Sequence, residues 1–297
     1  MEIHLSDINA GLSGDGAAFV AQCEQNYWDQ VHRIAEYVRV HHEKAPIILL
    51  SGPSGSGKTT TAHLLEQLLD REGLETHTVS MDNYFTPLTT TQLQDPTVDL
   101  ESPNRLDKEL LNAQLQSILA GETVEIPTFD FVNNERVYQG NTLTRKENEL
   151  VILEGIHALN PDVITLPPEN TVRIYVSVRT RLVTPDGYRL HPQWIRLMRR
   201  MLRDEAHRNR RPEDTYKMFE SVNRGEDRYI MPYKQYAQFD VDTLIPYEIA
   251  LYRAPLLPKL ELLQQYPGIP EMTQLLRQVL PMDPILLPES SLITEFI

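Results

Sequence analysis

The feature that most constrains this chain is the glycine-rich stretch at residues 52–59, which reads GPSGSGKT. An apolar run at residues 47–50 precedes it, and the segment after it repeats apolar residues at helical spacing. Glycine reaches backbone angles that are closed to residues with a Cβ, so successive amide N–H groups can turn inward around phosphate oxygens. The helix that begins there adds its N-terminal positive charge. The pattern therefore predicts a strand, a phosphate-binding loop and a helix, in that order.

The polar residues of this loop have separate expected roles. Lys58 should reach the β- and γ-phosphates of a nucleoside triphosphate, and the Thr59 hydroxyl should bind Mg²⁺. An ordinary glycine turn is the alternative, but every fixed residue of the motif is present and both flanks have the right character. We therefore predict ATP and Mg²⁺ as cofactors. The expected nucleotide contacts are Gly52, Ser54, Gly55, Ser56, Gly57, Lys58, Thr59 and Thr60.

Composition disfavours several other classes of protein. The 297 residues carry a net charge of −14, which argues against nucleic-acid binding because a phosphate backbone attracts a basic face. The single cysteine, Cys23, forms neither an internal disulfide nor a metal cluster, and this fits a reducing compartment. No apolar run approaches the roughly 18 residues of a membrane span, and the N-terminus lacks the layout of a secretory signal. We expect a soluble cytoplasmic protein with a small-molecule partner, and a homo-oligomer stays open.

Two acidic residues follow predicted strands. Asp82 comes after the short strand at residues 76–81, and Glu154 ends the continuous apolar run at residues 150–153. Ligands of open parallel sheets bind at the carboxyl ends of the strands, so both acids should lie beside the phosphate loop. There Asp82 can accept a hydroxyl proton or help to hold Mg²⁺, and Glu154 can hold the metal. The alternatives are a turn-capping role for Asp82 and a solvent-facing strand end for Glu154.

A basic stretch between residues 191 and 211 stands out in this acidic chain. Arginine forks bind phosphate oxygens in pairs, and a helix carrying several of them on one side can close over a triphosphate. A solvated basic face paired with Asp204 and Glu205 is the alternative. We expect a lid at about residues 186–215, on a helix that ends near Asn209. Its arginines are Arg196, Arg199, Arg200, Arg203, Arg208, Arg210 and Arg211.

Together these elements predict an α/β fold of the P-loop NTPase type, with a mainly parallel central sheet flanked by helices. Residues 1–45 are expected to form a helical extension packed on the core, and residues 46–297 the P-loop domain with its lid. A hairpin is expected around Phe129 and Phe131, which can also be core residues. The apolar residues at 285–287 and 292–293 should pack back on the body of the protein.

Further motifs follow the loop in order: DNYF at 82–85, DLESP at 99–103, IPTFDF at 126–131, LEGIHALNP at 153–161, the arginine-rich helix, and SVNRGE at 221–226. With them the chain, from about residue 46 to its C-terminus, resembles the uridine kinase-like branch of the phosphoribulokinase/uridine kinase family. The resemblance implies a kinase that phosphorylates a hydroxyl with ATP, typically the 5′-hydroxyl of a nucleoside. It also implies that Asp82 is the general base and that Thr59 and Glu154 belong to the Mg²⁺ shell. The implied catalytic residues are Lys58, Asp82, Arg199 and Arg203.

The acceptor pocket departs from the pattern of that family. Glu101 stands where uridine kinases have the aspartate that grips ribose, Phe129 where they have a base-contacting tyrosine, and Asn134 where they have a base-reading histidine. Phe129 keeps a stacking face, and Asn134 can both donate and accept. A missing polar contact in a buried site can change substrate preference by orders of magnitude. The implied acceptor-binding residues are Asp82, Tyr84, Glu101, Phe129, Asn134, Arg136 and Arg196.

Three functions stay open at this point. The first is a nucleoside kinase, and the second is a kinase for another small alcohol such as a sugar, a sugar phosphate or a vitamin precursor. A sugar phosphate would need extra basic residues near Glu101 and Arg136, and the charge of Glu101 argues against that. The third is a regulator that binds ATP without catalysis. A regulator does not need Asp82, Glu154 and the arginines, so their presence favours an enzyme.

Overall fold

A computed structural model describes residues 1–95 and 98–297 of the chain. The strands are β1 (Glu2–His4), β2 (Ile47–Ser51), β3 (Thr76–Ser80), β4 (Val124–Glu125), β5 (Thr128–Asp130), β6 (Glu135–Val137), β7 (Thr142–Leu143), β8 (Leu150–Glu154), β9 (Thr171–Ser177), β10 (Arg181–Val183), β11 (Arg189–Leu190) and β12 (Phe239–Asp242). The helices are α1 (Leu5–Ser13), α2 (Gly16–His41), α3 (Lys58–Arg71), α4 (Thr90–Gln94), α5 (Lys108–Leu119), α6 (Pro192–Arg208), α7 (Pro212–Tyr229), α8 (Glu248–Leu260) and α9 (Ile269–Gln278).

A five-stranded parallel sheet forms the centre of the molecule, in the order β12–β9–β2–β8–β3. β2 and β8 are buried along their whole length, as parallel strands are when helices cover both faces. Alternate side chains of β2 enter two different cores: Ile48 and Leu50 pack with α2, α3, α6 and α8, whereas Leu49 packs with α5. The predicted α/β architecture is confirmed. Because the five strands run in one direction, their carboxyl ends share one edge, and this edge carries the candidate site.

The N-terminal segment packs into the same core as the sheet. α2 starts at Gly16, where Asp15 caps it by accepting a hydrogen bond from the Ala18 N–H at 2.9 Å. Val31 of α2 is buried in the core, and the Tyr27 hydroxyl lies 2.9 Å from Thr61 Oγ1 in α3. The sequence did not predict α1 or β1. β1 forms through parallel pairing with β10, which lies far away in the sequence.

The C-terminal segment returns to the body of the protein beside α3. Leu292, Ile293 and Phe296 are fully buried, which confirms that this stretch packs on the core. Ile285 differs from the expectation, since it lies in the surface turn Pro284–Leu286 and is 83% exposed. None of the helices in the described part of the chain combines the length and the apolar character that crossing a bilayer requires.

Candidate active site

The glycine-rich loop closes between β2 and α3, where the sequence predicts it. Gly55 and Gly57 have φ angles of 75° and 82°, in the left-handed region that strains residues with a Cβ. A Cβ at Gly52 would lie 1.9 Å from the Val176 carbonyl oxygen, so the loop runs tightly past the end of β9. These three positions require glycine, and together they hold the loop at the carboxyl edge of the sheet.

The loop and its surroundings keep polar groups available for an anion. Ser56 Oγ is buried and has no hydrogen-bond partner within the described residues. The same is true of two guanidinium nitrogens in α6, Nε of Arg200 and Nε of Arg203. Buried donors of this kind are costly to leave unpaired, and phosphate oxygens are suitable partners for them. The residues present therefore fit a nucleotide.

The side chains at the end of the loop differ in their contacts. Lys58 Nζ donates to the Pro53 carbonyl oxygen at 3.2 Å, so this side chain lies back over its own loop. Thr59 is exposed at the start of α3, as a metal ligand needs to be. Thr60 is different, because its hydroxyl donates to Glu295 Oε2 at 2.5 Å. The hydroxyl of one expected nucleotide contact is thus held by the C-terminal segment.

The two predicted acids lie side by side. β3 and β8 pair with Ser80 opposite Glu154, and Asp82 lies in the 3-10 turn that follows β3. Ser80 links the acids: its Oγ donates to Glu154 Oε1 at 2.8 Å and accepts from the Asp82 N–H at 3.3 Å. A Cβ at Gly155 would lie 2.6 Å from Met81 Cβ, so glycine lets the two strand ends approach. The structure therefore brings both carboxylates to the edge that carries the loop.

Asp82 has the electrostatic character of a proton acceptor. Although its side chain reaches solvent, the surrounding protein desolvates the carboxylate, and this effect together with the charge of Glu154 raises the pKa of Asp82 to about 6. The positive charges of Lys58 and Arg208 lower the pKa of Asp82. A carboxylate of this kind is ionised at pH 7 and is still basic enough to accept a hydroxyl proton.

Glu101 belongs to the same group of interacting charges as Asp82. Burial raises the pKa of its carboxyl, Arg200 and Lys58 lower it, and Asp82 raises it again. These groups share one electrostatic environment, as the predicted acceptor site requires. Glu101 also packs closely on α7, since a Cβ at Gly225 would lie 2.4 Å from Glu101 Cβ. The glycine of the SVNRGE motif thus makes room for this carboxylate.

α6 lies directly on the glycine-rich loop. A Cβ at Gly55 would be 3.1 Å from the Arg196 carbonyl oxygen and 3.3 Å from Arg200 Cγ. Arg196 donates to the Ser54 carbonyl oxygen at 3.2 Å and forms an ion pair with Glu226. Arg200 donates to Ser54 Oγ. The expected lid helix is therefore seated on the loop in this structure.

Arg199 does not face the cleft, and this corrects the expectation that it binds phosphate. Its guanidinium is 0% exposed and pairs with both carboxylate oxygens of Glu248, at 2.7 and 2.9 Å. It also donates to the carbonyl oxygens of Thr243, at 2.5 Å, and Gly55, at 3.2 Å. The Phe296 ring centroid lies 4.9 Å from its Cζ. Arg199 faces inward between α6 and α8 and supports the loop from behind.

Two other arginines of α6 act electrostatically on acids of the site, Arg200 on Glu101 and Arg208 on Asp82. Arg203 has one long ion pair among the described residues, at 3.5 Å from Asp204. Burial lowers the pKa of Arg200 to about 10, so Arg200 remains charged at neutral pH. Arg208 is half exposed, and its positive charge lowers the pKa of Asp82. The sequence placed Arg200 and Arg208 in the lid but not in the site, because helical spacing alone does not distinguish position 200 from position 199.

The predicted hairpin forms from β5 and β6, and two expected acceptor contacts, Phe129 in the hairpin and Tyr84 in the 3-10 turn after β3, are core residues. Phe129 is buried, and its ring packs edge-on against Phe85 and Phe131, with centroids 5.9 and 5.0 Å apart. Tyr84 is also buried, and its hydroxyl donates to Gln114 Oε1 at 2.7 Å. Phe129 and Tyr84 therefore serve the packing of the hairpin, in contrast to the expected contact with an acceptor.

Asn134 and Arg136 are likewise engaged inside the protein. The Asn134 amide donates to the Leu88 carbonyl oxygen at 2.8 Å and accepts from the Leu88 N–H at 3.1 Å. Arg136 forms an ion pair with Asp107 at 2.9 Å. Both side chains fix loops in this structure, whereas the sequence predicts that they bind an acceptor. Of the predicted acceptor set, Asp82 and Glu101 share one group of charges, whereas Arg196 is buried and bonded to the Ser54 carbonyl oxygen and to Glu226.

A sequence profile of the phosphoribulokinase/uridine kinase family matches residues 47–249. The matched region begins at β2 and contains the glycine-rich loop, both acids and α6. The chain belongs to this family. The resemblance inferred from the motifs is thereby confirmed, and so is the P-loop kinase fold.

Relatives named uridine kinase share most of their length with this chain. The one from Borrelia duttonii is 28% identical over 201 residues, covering 67% of this chain and 85% of that protein. The one from Macrococcus caseolyticus is 31% identical over 206 residues, covering 68% and 88%. A crystal structure described as a candidate fructose transport system kinase, from Silicibacter sp., shares the fold with a TM-score of 0.50 at 18% identity, covering 66% of this chain and 89% of that one. Family and fold together support a phosphotransferase that uses ATP and a small-molecule substrate.

Proposed function

We propose that this protein transfers the γ-phosphoryl group of ATP to the 5′-hydroxyl of a nucleoside. The observation that carries the proposal is Asp82, a carboxylate with a pKa near 6 that lies beside Glu154 and within electrostatic range of Lys58. A phosphotransferase needs such a base where the phosphate loop meets the acceptor. The name of the relatives, uridine kinase, supports a nucleoside as the first acceptor to test.

On the donor side, the loop N–H groups and Lys58 hold the triphosphate. Thr59, Asp82 and Glu154 are the residues that would hold Mg²⁺, which neutralises charge on the transferred phosphoryl group when bound. Arg200 and Arg203 add positive charge from α6, and their unpaired Nε groups can donate to phosphate oxygens. Arg199 contributes indirectly, because it fixes the Gly55 carbonyl and so the shape of the loop.

On the acceptor side, Asp82 accepts the proton of the attacking hydroxyl as phosphoryl transfer proceeds. Glu101 can accept hydrogen bonds from neighbouring hydroxyl groups of the acceptor, and Arg200 keeps it within a positive environment. Arg196 borders this region and is held in place by Glu226. The acceptor is thus bound by carboxylates, which suits a molecule with several hydroxyl groups.

A second acceptor class has one observation in its favour. Phe129 and Asn134, the side chains expected to contact a nucleobase, are engaged within the protein, and so is Arg136. An acceptor that presents hydroxyl groups and no base, such as a sugar, needs only the carboxylates. In this second case the reaction is the same phosphoryl transfer, and only the acceptor differs.

An ATP-consumption screen over nucleosides, sugars and sugar phosphates tests both acceptor classes. The base assignment is tested with Asp82→Asn, which should lower turnover by about 10² or more because the amide cannot accept the proton. Its affinity for ATP should stay close to that of the unsubstituted protein. Asp162→Asn, an exposed position outside the site, is the matched control.

Two results would count against the proposal. Normal turnover in Asp82→Asn would show that another group is the base. If no alcohol stimulated ATP consumption in the unsubstituted protein, the catalytic proposal would fail and an ATP-binding regulator would be favoured.

A further inference from the structure

Four successive carbonyl oxygens of the donor loop accept hydrogen bonds from side chains outside the loop. The donors come from α6, from α3 and from the end of β12, so protein covers the carbonyl side of the loop. The pairs are Ser54 with Arg196 and Gly55 with Arg199, each at 3.2 Å, and Ser56 with Thr243 and Gly57 with Thr61, each at 2.7 Å.

Each of these bonds also sets the direction of an N–H group. The peptide bonds of the described residues are trans, and in a planar trans peptide the C=O and the N–H point in opposite directions. An anchored carbonyl therefore turns the N–H of the next residue toward the other side of the loop. The Ser56 N–H is used within the loop, where it donates to the Pro53 carbonyl oxygen at 3.2 Å. The Gly57 N–H has no acceptor among the described residues.

Thr243 anchors the peptide that carries this Gly57 N–H. It follows β12 directly and is 0% exposed. Its own N–H donates to the Ser177 carbonyl oxygen at the end of β9, at 3.1 Å. Thr243 is thus fixed at the carboxyl edge of the sheet, and the function proposed above does not yet use it.

Arg199 determines where the Thr243 hydroxyl sends its proton. Arg199 Nη1 lies 3.3 Å from Thr243 Oγ1, and a guanidinium can only donate hydrogen bonds. Thr243 Oγ1 therefore accepts from Arg199, and its single proton goes to the Ser56 carbonyl oxygen at 2.7 Å. Glu248 holds the guanidinium from its other side. The hydrogen bonds from Arg199 through Thr243 to Ser56 run in one direction and end at the loop.

The peptide between Ser56 and Gly57 needs such an anchor because glycine follows it. Gly57 has a φ of 82°, and glycine populates both signs of φ, so this peptide can flip at little steric cost. A flip would turn the Ser56 carbonyl, the negative end of the peptide dipole, toward the side that faces the phosphates. The anchor at Thr243 opposes that flip.

We propose that Thr243 is a positioning residue of the donor site, whose hydroxyl holds the Ser56 carbonyl so that the Gly57 N–H donates to a phosphate oxygen of the nucleotide. This inference rests on the proposed function, because it assumes that the loop binds ATP. It adds to that function a residue 187 positions from Ser56 in the sequence that shapes the loop without touching the nucleotide.

Three substitutions separate the hydroxyl of Thr243 from its methyl group. Thr243→Val removes only the hydroxyl, Thr243→Ser removes only the methyl, and Thr243→Ala removes both. Titration calorimetry without acceptor should show about 10-fold weaker ATP binding in the Val and Ala variants, as expected when a hydrogen bond to a charged group is lost. The Ser variant should bind ATP as the unsubstituted protein does. Urea unfolding should show lower stability in all three, so affinity follows the hydroxyl and stability does not.

Thr273→Val is the matched control. Thr273 is also 0% exposed, and its hydroxyl donates to a backbone carbonyl oxygen, that of Ile269, at 2.7 Å within α9. This variant loses the same chemical group from the core at a position away from the loop. It should lose stability and keep its affinity for ATP.

Nuclear magnetic resonance tests the direction of the Gly57 N–H itself. Serine labelled with ¹³C at the carbonyl, combined with ¹⁵N-glycine, selects the Ser–Gly peptides at 13–14, 51–52, 54–55 and 56–57. Ser56→Ala removes one of these signals and so assigns Gly57. On addition of ATP the Gly57 proton should move downfield in the unsubstituted protein and in Thr243→Ser, because a hydrogen bond to phosphate is charge-assisted. It should move much less in Thr243→Val.

Three results would overturn the inference. The first is ATP affinity in Thr243→Val equal to that of the unsubstituted protein. The second is an equal loss of affinity in Thr243→Ser, which would assign the effect to packing. The third is a Gly57 proton that shifts as far in Thr243→Val as in the unsubstituted protein. If the Val variant does not fold, Thr243→Ala and Thr243→Ser carry the comparison, because they differ only in the hydroxyl.

The failure of the inference can be told apart from the failure of the proposed function. No binding of ATP to the unsubstituted protein would remove both. ATP binding that depends on the Thr243 hydroxyl, without turnover on any acceptor, would leave the inference intact and contradict only the proposed kinase activity.

Discussion

The glycine-rich donor loop and the hairpin of β5 and β6 are both predicted substrate contacts, but they are built in opposite ways. The loop at residues 52–59 is shaped by its backbone, with Gly55 and Gly57 at positive φ. The hairpin of β5 and β6 is shaped by its side chains, and those side chains are bound inside the protein, as Asn134 is to Leu88. A site made of backbone groups keeps its side chains available for a ligand. A site made of side chains can lose them to internal contacts, so its motif predicts function less directly.

The first test concerns Arg199, which supports the donor loop from behind. Arg199→Leu leaves Glu248 as an uncompensated buried charge, and breaking a buried pair in this way should cost about 3–5 kcal/mol of stability. Urea unfolding measures the loss, and titration calorimetry should show weaker ATP binding because the Gly55 carbonyl loses its donor.

Two companion variants show whether the buried charge is the cause. The double variant Arg199→Leu with Glu248→Leu removes both charges and should recover much of the stability. Arg224→Ala removes an exposed pair with Glu220 and should change stability little. An Arg199→Leu protein as stable as Arg224→Ala would mean that the loop does not depend on this pair.

The acid at the junction of the two regions should give the cleft a characteristic pH dependence. The pKa of Asp82 is raised to about 6, so below that pH the carboxyl is protonated and cannot accept a proton. kcat/KM for the acceptor, measured at saturating ATP, should fall about tenfold from pH 7 to pH 5 and should be flat above pH 7. The residual activity of Asp82→Asn should lack this inflection. If the inflection appeared near pH 4 instead, it would come from a carboxyl whose pKa is unperturbed.

The structural role of the hairpin side chains predicts an effect on stability and not on substrate choice. Asn134→Ala removes both hydrogen bonds to Leu88 and places alanine at a φ of 52°, so it should cost about 1 kcal/mol of stability. The ratio of kcat/KM between uridine and cytidine should not change. Asn133→Ala, at the adjacent exposed position, is the control. A shifted ratio with unchanged stability would restore the base-reading role of Asn134.

The smallest expected effect concerns the free energy that Asp82 itself contributes to folding. Because its pKa is higher in the folded protein than in the unfolded chain, the folded protein binds the proton more tightly, and the ionised form destabilises the fold. Asp82→Asn should therefore be more stable at pH 7.5, by at most about 1 kcal/mol once solvent access to the side chain is considered. The gain should disappear below about pH 4, where the carboxyl is protonated in both states. Urea unfolding at the two pH values measures it, and a loss of stability at pH 7.5 would contradict the raised pKa.

Sequence reasoning succeeded where the local pattern determines the backbone. The spacing of Gly52, Gly55 and Gly57 predicts the loop, and the buried runs of β2 and β8 predict a parallel sheet. Asp82 and Glu154 follow from the rule that strand ends share an edge. Each of these predictions needs only a short window of sequence.

Sequence reasoning fell short where distant partners decide the outcome. Asn134 contacts Leu88, which lies 46 residues earlier, and no local pattern reveals this pairing. Arg199 and Arg200 are neighbours on α6, but it is Arg199 that pairs with Glu248 on another helix. β1 exists only through its pairing with β10. The carboxylate of Glu295 escaped notice because the apolar residues around it predicted packing alone.

The C-terminal residues 291–296 have a consequence for how the protein folds. The hydrogen bond between Glu24 and Ser291 joins residues 267 positions apart, and the one between Thr60 and Glu295 spans 235. Contacts across such separations form late, because loop closure costs entropy before the contact is gained. We expect the wall of the nucleotide site to be completed at the end of folding, after the rate-limiting barrier. Substitutions in residues 291–296 should then accelerate unfolding and leave the folding rate nearly unchanged.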